Sequence, residues 1–197
     1  MSRKPRTISP ENKMVVQYVT MAFGGTPHVD EYGHNTEDLT VGILYCHNRP
    51  TEGVTSYSTI RLSDYPMMGV KGEFQTRLEL AGVCATTTGF FPNVLASAAF
   101  SIMRTGDIYY PGTVMPNFIR QYSPSSVLPH LYLTAPFLWQ DDLKTLNCGT
   151  KKVSWLLAMP IAESEYLYLK EHGDEALEHL FEQEEIDIFD LNRLPVV

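Results

Sequence analysis

The stretch Val41–His47, VGILYCH, constrains the fold more than any other. It is apolar almost throughout, yet too short for a buried helix, which needs roughly ten residues or more. Polar, turn-forming sequence bounds it on both sides. Such a run reads as a strand buried within a sheet. Its partner follows at once. Pro50 to Gly53 reads as a turn, and Val54–Ile60, rich in β-branched residues and tyrosine, suits the second strand of a hairpin. Around 75–84, Leu78 and Leu80 alternate with Arg77 and Glu79, the pattern of a half-buried strand. Further strands are expected at 128–134 and 152–159. In the second of these Val153, Trp155, Leu157 and Met159 share one face.

Helices are marked by a different period. Ser9 followed by Pro10 is an N-cap with proline at the first helical position. Val15, Tyr18, Val19 and Ala22 then recur with helical spacing, which predicts a helix over 10–23 that Gly24 and Gly25 end. In FFPNVLASAAFSIMRTG, Leu95, Ala98, Ala99 and Ile102 form one apolar stripe, with Gly106 as the stop. In AESEYLYLKEHG, Tyr166 and Leu169 face inward with Ile161, and Glu163, Glu165 and Glu171 are placed on the solvated side. Asp174 is expected to cap a last helix whose Leu177, Leu180 and Phe181 point inward. The polar stretch from Phe23 to Asp38 and residues 107–126 read as loops. IDIFDL, Ile186–Leu191, reads as a short edge strand or a docked tail. Residues 1–8 are expected to be disordered, and 9–197 to form one domain, since no linker or internal repeat divides them.

The formal net charge is -8, and eleven of the 23 acidic residues lie between Glu163 and Asp190, with Lys170 as the only lysine or arginine there. That balance argues against nucleic acid and suits a basic protein partner. No run approaches the roughly eighteen apolar residues of a membrane span. Three widely spaced cysteines, Cys46, Cys84 and Cys148, read as reduced thiols of a cytoplasmic protein.

Sequence motifs for catalysis are sparse. GxSxG, GxGxxG, GxxxxGK[ST] and HExxH are all absent from the sequence, and no cofactor is expected. His28, Asp30 and His34 could form part of a metal site, as in a metal-dependent hydrolase, although the spacing matches no zinc pattern. Cys46 and His47 are strand neighbours and point to opposite faces, so they cannot act as nucleophile and base. Lys151 and Lys152 could meet a phosphate or simply begin a strand. Trp139 beside Asp141 and Asp142 would be a partner anchor if its loop is exposed, and a core residue if it is not. The set expected to contact a partner is Trp139, Asp141, Asp142, Glu171, Glu178 and Glu182.

The run MPIAESEYLYLKEHGDEALEHLFEQEEIDIFDLNR resembles the C-terminal signature of the suppressor of fused domain in its bacterial form. The positions that carry it include Pro160, Ile161, Glu163, Glu165, Tyr166, Leu169, Lys170, His172, Gly173, Leu177, Leu180, Asp187, Asp190 and Arg193. The elements from FGGTPHVDEY through RLEL follow the family's order more loosely. Arg61 stands where the family often has the glycine of a Thr-x-Gly-x-Ser turn, here Thr59, Arg61 and Ser63, which leaves that turn's conformation open. Ala162 replaces a hydroxyl residue before the penultimate helix, so its cap should come from elsewhere, with Ser164 a candidate. The resemblance implies an α/β (α+β) domain with a mixed, mostly antiparallel sheet and helices packed against it. It also implies binding without catalysis: an immunity protein or antitoxin that sequesters a basic toxin, or a regulatory adaptor with no toxin.

Overall fold

The computed structural model describes residues 8–70, 72–124, 126–139 and 141–197. The expectation of disorder at the N-terminus falls, apart from Ile8, outside the described residues. The elements run α1 (Pro10–Phe23), β1 (His28–Gly33), β2 (Thr40–His47), β3 (Val54–Ile60), the short hairpin β4 (Met68–Gly69) and β5 (Gly72–Glu73), and β6 (Thr76–Ala85). They continue with α2 (Phe91–Thr105), β7 (Thr113–Met115), β8 (His130–Thr134), β9 (Leu146–Asn147), β10 (Lys152–Ile161), α3 (Glu163–His172) and α4 (Asp174–Gln183).

The main sheet has the order β1-β2-β3-β6-β10-β8-β7, with β9 paired to the start of β10. Among the described residues only β6 and β10 run parallel. The expected mixed, mostly antiparallel sheet is therefore observed. Its central strands are buried on both faces because helices cover both. The apolar stripe of α2 packs on Val41, Ile43, Leu80, Leu131 and Leu156. At Gly82 a Cβ would lie 2.7 Å from the Phe91 ring, so only glycine lets α2 approach β6 this closely. On the opposite face α1 places Val15, Val19 and Phe23 against Leu44, Ala81, Val83 and Trp155. Full burial of such side chains contributes roughly 1.5–3 kcal/mol each. α4 joins the same face further along, setting Leu177 and Phe181 on Tyr132, Met159 and Ile161.

Several expectations are corrected. His28–Gly33 forms an edge strand paired to β2, not a loop. It is polar because its residues are mostly exposed, which suits an unpaired sheet edge. Glu79 is fully buried, because α1 and the turn after β3 cover its face of β6. Its carboxylate accepts from the Thr59 hydroxyl (2.5 Å) and from the backbone N–H groups of Arg61 (3.0 Å) and Ser63 (3.1 Å). Arg61 takes up the left-handed conformation, φ 85° and ψ −4°, so the turn keeps a glycine-like shape without glycine. Lys151 closes this corner, donating to Ser63 Oγ (3.0 Å) and Asp64 Oδ1 (2.8 Å), and Asn12 of α1 donates to Asp64 Oδ2 (2.9 Å).

Glu165 also lies inside, not on the solvated side of α3. Arg193 donates to both of its oxygens, at 2.6 and 3.0 Å, and so clasps the C-terminal tail to α3. Glu165 Oε2 also accepts from the Ala162 N–H at 2.8 Å, so this carboxylate, not Ser164, caps the helix. Gly173, not Asp174, is the N-cap of α4. Residues Ile186–Leu191 form a docked tail without strand pairing. Ile188 and Phe189 pack on the α1 face, and the Phe189 carbonyl accepts from Ala85 N at 2.9 Å.

Candidate protein-binding surface

β8 ends at Thr134, and Pro136 turns the chain into one tight 3-10 turn, Phe137–Trp139. Two aromatic residues two positions apart in such a turn cannot both face the core. Trp139 goes inward and packs on the Phe23 ring, with centroids 4.7 Å apart, while Phe137 remains 42% exposed. Trp139 is therefore a core residue and not the exposed anchor that its acidic neighbours suggested.

A cavity opens on each side of Phe137. The first, about 590 Å³, is lined mainly by Pro111, Pro136, Leu143, Trp155 and Leu156, with Lys144 the one charged residue among the described residues that line it. The second, about 490 Å³, lies between the end of β8, Met159 of β10, α4 and the tail segment 185–189. Its floor is apolar: Met159, Phe181, Ile186, Ile188 and Phe189. Its rim carries Glu178, Glu182, Glu185 and Asp187, and among the described residues no lysine, arginine or histidine lines it.

These carboxylates are positioned by local structure. Leu177 and Phe181 point α4 into the sheet, which turns Glu178 toward β8 and Glu182 toward the groove mouth. Glu178 Oε1 accepts from the Tyr132 hydroxyl at 2.7 Å and from the Thr134 hydroxyl. Burial first, and the Glu178 carboxylate second, push the Tyr132 phenol well above its ordinary pKa, so it stays a donor. α4 ends with Glu184 N–H on the Leu180 carbonyl (3.0 Å) and Ile186 N–H on the Phe181 carbonyl (3.2 Å). In this closing arrangement the residue between them takes a left-handed conformation, most often as glycine. Here it is Glu185, with φ 46°.

Of the residues expected to contact a partner, Glu178 and Glu182 line this groove. Asp141, Asp142 and Glu171 are exposed but do not line it. Sequence reasoning missed Phe137 and the Ile186–Phe189 wall. The alternation of IDIFDL was the available signal for the wall; Phe137 carried none apart from its distance of two residues from Trp139.

The other candidates do not assemble. His28 stacks on Tyr45 at one end of β1, whereas His34, beyond its other end, turns Nδ1 to the Glu37 N–H at 3.2 Å. Among the described residues no group of three or more His, Cys, Asp or Glu is placed to hold a metal ion, which removes the geometric basis for the His28/Asp30/His34 hydrolase. The Lys151 ammonium is engaged by Ser63 and Asp64, so it is a fold residue and not a phosphate contact. All three cysteines are buried. Burial raises each thiol pKa, that of Cys84 to about 12, so none is an activated nucleophile. Among the described residues, no helix is long and apolar enough to cross a membrane.

Comparison with known proteins identifies the family and the fold. Residues 37–194 match the family model of suppressor of fused protein. Immunity protein YqcF of Bacillus subtilis (strain 168) is 35% identical over 190 residues, spanning 96% of this chain and 99% of that protein. The crystal structure of a suppressor of fused homolog from Neisseria gonorrhoeae superposes with a TM-score of 0.72 at 19% identity, covering 95% of this chain and 97% of that one. Drosophila Suppressor of Fused superposes at 0.68 and 13% identity, and this chain spans 54% of it. A structure of the Sufu-Fu complex also gives 0.68, covering 96% of this chain.

Proposed function

Because this chain belongs to the suppressor of fused family, we propose that it works by binding another protein, as a cytoplasmic immunity protein that sequesters and occludes a toxin. It acts by contact and breaks no bond. One observation carries this reading: an exposed Phe137 stands between two cavities, one of them apolar inside and ringed by carboxylates. A partly buried apolar centre with a charged rim is the anatomy of a protein interface. The acidic rim selects a basic partner and speeds its approach. The 35% identity to a protein named as an immunity protein, over nearly the full length of both, supports the same role.

Co-expression tests it. The toxin encoded beside this gene should be harmless when this chain is made with it and lethal without it. The purified pair should form a complex whose affinity falls steeply between low and high salt. Phe137→Asp should abolish the complex while the fold persists. Full toxicity in the presence of the wild-type chain, with no complex at low salt, would overturn the proposal.

A further inference from the structure

Resting on that binding role, we infer that the acidic groove receives a single lysine or arginine side chain of the partner, carried between apolar neighbours, and that Glu178 is the group that pairs with it. The first argument is an unbalanced charge. Glu165, the fully buried carboxylate of the preceding helix, has Arg193 on both of its oxygens, whereas Glu178 is only half-buried. Among the described residues Glu178 has no cation partner. Its Oε1 is held by the hydroxyls of Tyr132 and Thr134, while Oε2 accepts no hydrogen bond from the described residues. Two buried hydroxyls thus fix the orientation of a carboxylate that keeps one oxygen free at the wall of an apolar groove. Such a pre-oriented acceptor favours a guanidinium or ammonium without first having to order a side chain.

The second argument is the surroundings. Glu182, Glu185 and Asp187 add negative potential, and no base among the described residues lines the groove to offset it. A phosphate-bearing partner would be repelled. Met159, Phe181, Ile186 and Ile188 can hold the apolar flanks of the incoming segment and the alkyl stem of the cation.

The third argument is strain. Glu185 occupies a left-handed position at φ 46°, where glycine would rest without cost. Holding a charged side chain there costs stability and sets a further carboxylate on the groove rim.

The test uses the whole chain and a capped synthetic peptide, Gly-Ser-Leu-Phe-Arg-Phe-Leu-Ser-Gly-Ser, followed through backbone amide NMR shifts. Saturable shifts are expected at Thr134, Glu178, Phe181 and Ile186–Phe189. Replacing the peptide's arginine by neutral citrulline should weaken binding about tenfold, as should Glu178→Gln in the protein. Glu185→Gly should melt no lower than wild type yet bind the arginine peptide more weakly, a split that a purely structural role for Glu185 does not produce. Equal binding of the citrulline peptide, shifts confined to other surfaces, or no saturable shift up to about 5 mM peptide would overturn the inference. So would calcium ions alone reproducing the shifts. No toxin enters this experiment, so its outcome is separable from the immunity role. If Glu178→Gln still protects cells fully, the anchor falls and the role stands; if the peptide binds the groove but no toxin is neutralised, the reverse holds.

Discussion

The buried carboxylate of Glu79 makes this protein's stability depend on pH in a direction opposite to most acids. Burial raises its pKa from 4.5 to about 7, against the opposing pull of the Thr59 and Ser63 hydrogen bonds and of Lys151. A carboxyl whose folded pKa lies above its unfolded one binds its proton more tightly in the native state. Its stabilising contribution is thus complete below about pH 4.5 and is lost as pH rises toward 7. At about 1.4 kcal/mol per unit, a shift of roughly 2.5 units corresponds to about 3 kcal/mol across that window. Glu79→Gln removes the titration while retaining the shape of the protonated acid. Its amide oxygen can still accept from the Arg61 and Ser63 N–H groups, and its NH₂ can donate to Thr59 Oγ1. Urea denaturation of both proteins from pH 4.5 to 8 isolates the effect, because every other acid is common to the two and cancels. Relative to the variant, wild type should lose about 3 kcal/mol between pH 4.5 and 7 and level off above it, a difference of about 6–12 °C in Tm for a domain of this size. A difference that stays flat with pH, or that grows in favour of wild type as pH rises, would refute the reasoning.

Other perturbations should separate fold from surface. Arg193→Met leaves Glu165 buried without its counter-charge and should cost about 3–5 kcal/mol in urea denaturation, much of it recovered by adding Glu165→Gln. Trp139→Ala should cost about 3–5 kcal/mol, whereas Phe137→Ala should leave the denaturation midpoint nearly unchanged and reduce partner affinity measured by calorimetry. Arg61→Gly should stabilise the protein by about 0.5–1 kcal/mol, since glycine rests at φ 85° and the exposed pair with Glu31 contributes little.

Much of the scaffold was legible because local periodicity records which side of an element must be covered. The stripes Val15–Val19 and Leu95–Ile102 placed α1 and α2, and the apolar run VGILYCH placed β2 at the sheet's interior. The groove was half legible. An acidic segment with apolar alternation in IDIFDL marked the region and included Glu178 and Glu182, while Phe137 stayed hidden behind the larger Trp139.

What the sequence by itself determined was the type of the four helices and of the long strands β2, β3, β6, β8 and β10, with the apolar face of most, since these depend on residues within one or two turns of each other; the short or exposed strands β1, β4, β5, β7 and β9 escaped it. Tertiary structure alone decided what lies over the remaining faces. Glu79 and Glu165 carry the same local pattern as solvated acids, and they are buried because Thr59 and Ser63 in one case, and Arg193 in the other, arrive from distant parts of the chain to satisfy them. Glu178, by contrast, is held by the hydroxyls of β8 and has no cation partner among the described residues. The energy of a carboxylate is set by the few groups within hydrogen-bonding reach, and which groups those are follows from how the elements cross in space and not from their order along the chain.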